Sequence, residues 1–275
     1  MTEVSSVVFL FKREDFMSNI TEISSKDNQI IKRICNLQKS SKSRREEGVF
    51  VLEGQRLCID ARGCGCSPEI FIMSHSAEMR YPDDCKILSD TAKFSYRVSD
   101  TLFAKISDTV GPQGLLCVCK TPEFTESALF SEGKYIALEN LQDPTNLGAI
   151  SRTADALGID GMILQDCCDP YSPKSLRASM GALIRIPIIQ TDNMFDIFSN
   201  YGLTSYAAVI DSEAETLSTV HFDFGSVAVI GNEGNGLKKE SVAKCTTRIT
   251  IPMKSTTESL NAAVAASIIM WEMCK

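Results

Sequence analysis

The sequence has few of the residues that build metal centres and no long apolar run. It contains two histidines, His75 and His221, and one tryptophan among 275 residues. With so little histidine, no metal cluster is evident. No apolar run approaches the ~20 residues that a membrane-spanning helix needs. A hydrophobic content of 44% and a charged content of 23% are typical of a soluble globular protein.

The N-terminus also lacks the pattern of a signal peptide. Its apolar stretch covers only residues 7–11, and no basic residue precedes it. A second start is conceivable at Met17. Residues 1–17 are therefore interpreted as a flexible extension or a start-site artefact.

Cysteine, in contrast, is abundant, with eleven residues. The closest pairs are Cys64/Cys66, Cys117/Cys119 and Cys167/Cys168. These spacings are too short for the usual Cys-x-x-Cys zinc knuckle. Several cysteines lie in apolar, strand-like runs, where a thiol acts as a small hydrophobic group. We expect reduced, mostly structural thiols in a cytoplasmic protein, and no metal.

Charge is distributed unevenly. The net charge is −7, yet residues 26–45 contain seven bases and one acid, a local net of +6 that leaves −13 elsewhere. We call these bases the basic arm: Lys26, Lys32, Arg33, Lys39, Lys42, Arg44 and Arg45. Because screening limits the reach of distant charges to ~10 Å, the basic arm can bind phosphates despite the acidic body. The alternative is a solvated helix face.

The pattern of apolar residues divides the chain into two α/β units. The first half predicts helices at 27–41 and 55–61 and strands at 49–52, 70–73 and 115–119. The polar residues 121–133 are predicted to be a linker between domains at 18–120 and 134–275. The second half predicts strands at 135–138, 161–164, 184–189, 205–210, 226–230 and 247–251, alternating with helices at 146–157, 174–182, 193–200, 237–243 and 259–273. This alternation predicts a largely parallel sheet, with ligands at the carboxyl ends of its strands.

A first polar motif occupies residues 140–152, after a predicted strand. Pro144 is expected near the helix start, and Gly158 ends that helix. Arg152 points away from the core face, in a notch of small residues such as Gly148, where its guanidinium can meet a phosphate or carboxylate. Asn146 either caps the helix or reaches into the same cleft. For an isolated helix, a solvated arginine and a capping asparagine remain the alternative.

A second motif, Gly-Asn-Glu-Gly-Asn-Gly, occupies residues 231–236 between a strand and a helix. The glycine order differs from the dinucleotide fingerprint, and Lys238 is displaced from the P-loop position. The glycines instead suit close approach of a ligand. Glu233 would repel a phosphate-rich cofactor and suits hydroxyls, an amine or a positive centre. A tight turn without a ligand is the alternative.

A third motif begins at Ile251, which ends a strand, and continues to a helix that starts near Ser259. Ser259 is a plausible N-cap, and Asn261 could turn inward from the first turn. Small residues at 262–266 permit close packing in the core or across a dimer seam. The three motifs together predict one ligand site built from three loops.

Asn146-x-Gly148-x-x-x-Arg152, the residues from Gly231 to Gly234, and the run 259–261 resemble the three motifs of the SpoU/TrmH family. This family of RNA ribose 2′-O-methyltransferases belongs to the SPOUT superfamily. Residues 178–182 also resemble a family segment, and the resemblance covers about 130–275. The region of about 20–120 is similar to an L30e-like RNA substrate-binding domain, through residues 25–28, 50–57 and 111–114.

The resemblance implies an α/β fold with a trefoil-knotted, mostly parallel sheet in the C-terminal domain and a small L30e-like α/β N-terminal domain. It implies S-adenosyl-L-methionine as cofactor, an RNA substrate, and a homodimer whose active site draws on both subunits. The implied catalytic residues are Arg152, Asn146, Glu233, Ser259 and Asn261. The implied cofactor-binding residues are Gly231, Asn232, Gly234, Ile251, Met253 and Leu260, and the basic arm is assigned to RNA.

Two functional hypotheses follow. The first is a methyltransferase acting on the ribose 2′-OH of structured RNA, with ribosomal RNA favoured over transfer RNA because of the added N-terminal domain. The second is a non-catalytic RNA-binding or ribosome-assembly factor that keeps the fold. The complete polar set favours the enzyme. A nucleotide-binding oxidoreductase is disfavoured by the glycine order.

Overall fold

The computed structural model describes residues 20–254 and 259–275 of the chain. The N-terminal extension predicted for residues 1–17 lies outside the described residues. Across the described ranges, no helix is both long and apolar enough to cross a membrane.

The N-terminal part contains a five-stranded mixed sheet. Its strands are β1 (Ile20–Ile23), β2 (Val49–Glu53), β3 (Pro68–Ser74), β4 (Phe94–Val98) and β5 (Leu115–Lys120), in the order β1-β4-β3-β5-β2. Its helices are α1 (Gln29–Lys39), α2 (Ser41–Glu47), α3 (Gln55–Gly63), α4 (His75–Arg80), α5 (Pro82–Thr91) and α6 (Asp100–Ile106). Strands β1, β4 and β3 run parallel, whereas β5 is antiparallel to β3 and β2.

The C-terminal part contains a seven-stranded sheet in which all pairs are parallel. Its strands are β6 (Lys134–Glu139), β7 (Gly161–Gln165), β8 (Ile188–Gln190), β9 (Thr204–Ala208), β10 (Glu215–Thr216), β11 (Ser226–Ile230) and β12 (Thr247–Thr250). Its helices are α7 (Pro144–Leu157), α8 (Pro173–Ser179), α9 (Met194–Tyr201), α10 (Lys239–Lys244) and α11 (Ala262–Met273). The strand order is β10-β12-β9-β11-β6-β7-β8. The predicted α/β class and largely parallel sheet are confirmed.

The two sheets share a core. The largest apolar cluster includes Phe50 and Leu52 of β2 together with Ile136 and Leu138 of β6. The Phe50 ring lies 5.4 Å from that of Tyr171, between the two parts of the chain. Residues 121–133, predicted to be a linker, contain the short 3-10 turn Glu126–Ala128.

Two predicted elements in the C-terminal part are present with different bounds. The helix predicted at 174–182 ends at Ser179, because Met180 and Gly181 adopt left-handed backbone conformations with φ of 50° and 86°. The strand predicted at 184–189 shortens to Ile188–Gln190, and residues 182–184 form a 3-10 turn instead. Apolar composition alone did not separate a buried turn from a buried strand.

Sequence patterns did not identify β1, β4, α2, α4, α5, α6 or β10. These elements are short, and their apolar positions are few. Strand β1, for example, has one fully buried residue, Ile23, and is held by pairing with β4. Such short elements depend on contacts that are distant in sequence.

Candidate active site

The candidate site lies where the strand order of the parallel sheet reverses. Strand β6 lies between β7, which follows it in the chain, and β11, which comes much later. The loops after β6 and β11 carry the first and second motifs. A crevice at such a reversal is the usual ligand site of open parallel sheets.

The second motif forms a closed loop organised by Asn232. Its Oδ1 accepts hydrogen bonds from the amides of Gly234 and Asn235, at 2.9 and 3.1 Å. Its Nδ2 donates to the carbonyl oxygen of Asn140 at 2.8 Å. A Cβ at Gly231 would lie 2.2 Å from the backbone of Gly236, so the returning chain requires glycine there. The loop therefore needs Gly231 for its own closure, as well as for the site that it borders.

Glu233 ties the second motif to the first. Its Oε1 accepts hydrogen bonds from Asn146 Nδ2 and the Asp143 amide, both at 3.0 Å. Its Oε2 accepts from the Gln142 amide at 3.3 Å. Partial burial acts to raise the pKa of Glu233, but the hydrogen bonds from Asn146 and the backbone amides outweigh it and lower that pKa below its ordinary value. The ionised carboxylate thus holds the start of α7.

Asn261 ties the third motif to the same network. Its Nδ2 donates to Asn146 Oδ1 at 3.0 Å. Its Oδ1 accepts from the amides of Ala263 and Val264, so Asn261 is the N-cap of α11. The prediction that Ser259 caps this helix, with Asn261 in the first turn, is therefore wrong. Asp143 rather than Asn146 caps α7, which leaves Asn146 to join Glu233 and Asn261.

A cavity of about 380 Å³ opens beside these loops. The predicted cofactor-binding residues Gly231, Asn232, Gly234, Ile251, Met253 and Leu260 all line it, as do Glu233 and Ser259. Its floor is apolar and includes Leu217, Ile249 and Ile269. The volume falls within the ~300–1,000 Å³ of small-molecule sites.

Three backbone amides along one side of the cavity have no hydrogen-bond acceptor in the part of the chain that the structure describes. The amides of Ile251, Met253 and Leu260 make no hydrogen bond to another described residue. Such amides suit the polar atoms of a ligand whose apolar parts contact the floor. The motifs did not reveal that residues 208–210, at the carboxyl end of β9, also line the cavity. Their position at the carboxyl end of a neighbouring parallel strand was the available signal.

Arg152 lies outside the cavity. It is exposed on α7 and forms no ion pair with another described residue. The predicted notch of small residues around it is wrong, because Gly148 is buried against α8. A Cβ at Gly148 would lie 2.5 Å from Ala178 Cβ and 2.7 Å from the Ser175 carbonyl oxygen. Within one chain, the structure joins Asn146, Glu233 and Asn261 but does not place Arg152 on the cavity wall.

The basic arm is less free than its sequence indicates. Arg44 is only 5% exposed, and its Nε and Nη2 donate to Asp169 Oδ2 at 2.9 and 2.6 Å. The prediction that Arg44 binds RNA is therefore wrong. Ion pairs join Lys32 to Asp27, Arg33 to Glu47 and Lys42 to Glu46. Lys26, Lys39 and Arg45 are exposed and have no ion pair with another described residue.

The cysteines do not form a metal centre in the part of the chain that the structure describes. All eleven are free thiols. In residues 20–254 and 259–275, no group of three or more histidine, cysteine or acidic side chains is arranged to hold a metal ion.

Comparison with known families agrees with this geometry. A model described as the SpoU rRNA methylase family matches residues 133–271. A second, described as the MRM3-like substrate binding domain, matches residues 28–117. The first match covers all three motifs, and the second covers most of the N-terminal sheet.

Similar proteins span nearly the whole chain. An uncharacterized tRNA/rRNA methyltransferase of Synechocystis is 32% identical over 93% of this chain and 94% of its own length. The 23S rRNA (guanosine(2553)-2′-O)-methyltransferase RlmP of Bacillus subtilis is 29% identical over 92% of this chain and 98% of its own. An AdoMet-bound rRNA methyltransferase from Sinorhizobium meliloti superposes with a TM-score of 0.83 at 27% identity, covering 92% of this chain and 97% of its own. The chain therefore belongs to the SpoU rRNA methylase family.

Proposed function

We propose that this protein uses S-adenosyl-L-methionine to methylate a ribose 2′-OH of structured RNA. The observation that carries the proposal is the Asn261–Asn146–Glu233 chain of hydrogen bonds, which joins all three motif loops beside one cavity. A non-catalytic RNA-binding protein would have no need for this convergence. Family membership and the 2′-O-methyltransferase name of one relative support the same reaction.

The cavity fits the cofactor in size and in donor arrangement. The amides of Ile251, Met253 and Leu260 would hold its polar groups, and Leu217 and Ile249 would contact its apolar surface. When bound, S-adenosylmethionine supplies an electrophilic methyl group on a sulfonium. The Glu233 carboxylate also borders the cavity, and its negative charge favours a positively charged ligand there.

We propose that Arg152 contacts the RNA substrate. A guanidinium keeps its proton in proteins and is therefore a reluctant base, whereas its planar fork binds a phosphate bidentately. Arg152 would hold the phosphate next to the target ribose and align the 2′-OH for in-line attack on the methyl group. Its exposure and its lack of an ion-pair partner among the described residues leave it available for this contact.

Asn146, Glu233 and Asn261 are proposed to orient the site. Glu233 fixes the rotamer of Asn146, and Asn146 in turn fixes that of Asn261. Ser259 is exposed at the cavity mouth, where its hydroxyl can contact the ribose. Groups held in advance in this way need little rearrangement when the substrate binds.

A homodimer would bring Arg152 to a cavity. Helix α11 exposes Val264 (48%), Ile268 (36%) and Trp271 (56%), an apolar face that suits a second copy of the chain. Ser267, on the same helix, lies 3.1 Å from Thr153 of α7, the neighbour of Arg152. We propose that the dimer seam covers this face and that each site combines one chain's cavity with the partner's arginine.

We also propose that the C-terminal domain is knotted, with α11 threaded through a loop near the third motif. The contacts of α11 with α7 and with the central strands β6 and β11 agree with this topology. Ribosomal RNA is favoured as substrate, because an N-terminal domain similar to a substrate binding domain is packed against the catalytic part. We place the reaction in the cytoplasm, where free thiols such as those found here persist.

The test combines cofactor binding with transfer. Calorimetry should show that the wild-type protein binds S-adenosylmethionine. Total RNA from a deletion strain, incubated with the protein and labelled cofactor, should gain a 2′-O-methyl group at one mapped ribosomal nucleotide. Absence of cofactor binding would refute the proposal that this protein is a methyltransferase. Cofactor binding with label on a base or on transfer RNA would correct the acceptor, and RNA binding without transfer would favour the assembly factor.

A further inference from the structure

One short segment links the N-terminal sheet to the helix that carries Arg152. We call residues 169–181, which include α8, the bridging segment. The side that faces the N-terminal part of the chain contacts β2, because the Tyr171 ring packs against the Phe50 ring. Arg177 Nη2 donates to Asp108 Oδ2 at 2.8 Å, which adds a contact with the loop after α6. The bridging segment is thus part of the interface between the two parts of the chain.

The ion pair between Arg44 and Asp169 also crosses this interface and is more buried than that between Arg177 and Asp108. Arg44 and Asp169 are largely buried, with 6% and 16% of their side-chain surface exposed. Arg44 Nη1 also donates to the carbonyl oxygens of Leu37 and Gln38 at 2.5 and 3.3 Å. These carbonyls belong to the last turn of α1, where helix carbonyls lack partners within the helix. One guanidinium therefore joins α1, α2 and the bridging segment.

Asp169 is itself held in a fixed orientation. Its Oδ1 accepts from the Tyr171 amide at 2.9 Å, and its carbonyl oxygen accepts from Ser175 Oγ at 2.9 Å. The carboxylate is thereby fixed to the start of α8. A displacement of Arg44 would be transmitted directly to this helix.

On its other side the bridging segment packs closely against α7. Gly148 approaches so closely that a Cβ there would lie 2.8 Å from the Ser179 amide. Arg152 lies one helical turn beyond Gly148 on the same helix. A continuous series of buried contacts therefore runs from Arg44, through Asp169 and α8, to the helix of Arg152.

We infer that Arg44 and Asp169 are positioning residues that fix the N-terminal domain relative to Arg152. The inference rests on the proposed function, because its purpose is to place RNA held by the N-terminal domain at the methyl-transfer site. Neither residue touches the cavity. A misplacement of about 1 Å far from the chemistry can lower a rate by about 10²-fold. Loss of the pair is therefore expected to reduce turnover more than binding.

The test uses Arg44→Ala, Asp169→Asn and the conservative Arg44→Lys. The matched control is Arg97→Ala, which removes largely buried charge contacts with Glu78 and Glu22 inside the N-terminal part. Each variant is measured for kcat and KM with RNA, for the dissociation constant of S-adenosylmethionine, and for melting temperature. Spin labels on the exposed thiols Cys64 and Cys274, with labelled chains diluted in unlabelled protein, report the distance between the two parts.

Arg44→Ala and Asp169→Asn should lower kcat by about tenfold or more while cofactor binding stays unchanged. The distance distribution between the labels should broaden. Arg44→Lys, which keeps the charge but loses the fork, should recover part of kcat. The control Arg97→Ala should keep a wild-type kcat and a narrow distribution, even where its melting temperature falls.

Wild-type kcat and an unchanged distribution in folded Arg44→Ala would overturn the inference. An equal loss of kcat in Arg97→Ala would also overturn it, since general destabilisation would then explain the effect. A wild-type protein that transfers no methyl group would instead refute the proposed function. The label distances would still decide whether the pair fixes the two parts.

Discussion

Asn146 donates a hydrogen bond of 3.0 Å to Glu233 across 87 positions of the sequence. This contact joins the first turn of α7 to the loop after β11, at the point where the order of the parallel strands reverses. Glu233 also accepts hydrogen bonds from two backbone amides of the same first motif and from the side chain of Asn232. Glu233 therefore holds the first and second motif loops together, and it also contributes negative charge to the site.

Glu233→Gln should destabilise the fold in a pH-dependent way. Because the folded-state pKa of Glu233 is lowered from its ordinary 4.5, its contribution is present above pH 4.5 and is lost as pH falls through the folded value. Replacing one acceptor by an amide donor should cost about 1 kcal/mol of unfolding free energy at pH 7. Urea unfolding at several pH values checks this.

The matched control is Glu132→Gln, which neutralises an exposed carboxylate away from the site. The stability of this variant should follow the wild-type pH dependence. The difference between Glu233→Gln and wild type should shrink below pH 4.5. A constant difference at every pH would mean that the charge of Glu233 is not what stabilises the loop.

Arg152→Ala should abolish methyl transfer and leave cofactor binding intact. Arg152 does not line the cavity of its own chain, and in the proposed dimer it contacts the RNA phosphate, so its removal takes away the phosphate contact and not a cofactor contact. Single-turnover transfer should fall by about 10²-fold or more. Arg152→Lys keeps the charge without the planar fork, so its transfer rate should lie between those of the wild type and Arg152→Ala. Calorimetry with S-adenosylmethionine supplies the second measurement, and an equal loss of both properties would refute the phosphate-clamp role.

The site could be predicted from the sequence largely because its parts follow strand ends. Alternating strands and helices predict a parallel sheet, and a parallel sheet brings the loops after β6, β11 and β12 to one edge. The cofactor-binding residues themselves, which the resemblance to the SpoU/TrmH family implied, all line the cavity at this edge. The partners of Glu233 could not be predicted, because Asn146 can equally cap a helix, and only the observed cap at Asp143 excludes that role.

Two other residues show why local patterns misled. Arg44 belongs to a run of bases in the sequence, but its partner Asp169 is 125 positions away. The sequence predicts open space beside Gly148 for Arg152, whereas α8 fills that space. In both cases a contact distant in sequence determines whether a side chain meets solvent or the core.

Gly148→Ala should destabilise the protein through overpacking. The added Cβ would meet backbone atoms of α8 at 2.7 and 2.8 Å, and the helix must shift to accept it. The expected cost is about 1–3 kcal/mol of unfolding free energy. Gly63→Ala is the matched control, because its Cβ would have nothing within 4 Å and its φ is not left-handed. Denaturant unfolding should show Gly63→Ala at or slightly above wild-type stability, and equal losses in both variants would contradict the packing argument.

The thiols should differ sharply in reactivity. Cys64 and Cys274 are exposed, whereas Cys58, Cys85 and Cys117 are buried. Burial raises the pKa of Cys85 to about 12 and the pKa of Cys117 well above its ordinary value. Ellman's reagent at pH 8 should therefore modify Cys64 and Cys274 first, because the thiolate is the reactive form.

Unfolding the protein without a reductant should release all eleven thiols to the reagent. Cys64→Ser supplies the control, since it should remove one equivalent from the fast phase alone. Fewer than eleven thiols in denaturant would reveal a disulfide. Rapid modification of Cys117 in the native protein would show that the N-terminal core opens.

The apolar face of α11 should control both assembly and activity. Trp271→Lys places a charge on a side chain that is 56% exposed in the single chain, so the monomer should fold normally. In the dimer the same charge would be desolvated without a partner. Analytical ultracentrifugation should show a shift to monomer. Methyl transfer should fall with it, because the cavity would lose the partner's arginine.

A mixing experiment determines which chain supplies the arginine. Ala265→Phe fills the cavity but leaves Arg152 in place, whereas Arg152→Ala leaves the cavity open. Each variant alone should be inactive. After unfolding and refolding together in equal amounts, half of the symmetric dimers would be mixed, and each mixed dimer would hold one intact site, so about a quarter of wild-type activity should return. Recovery requires that the cavity and the arginine come from different chains. If both came from the same chain, every site would carry a defect and the mixture would stay inactive.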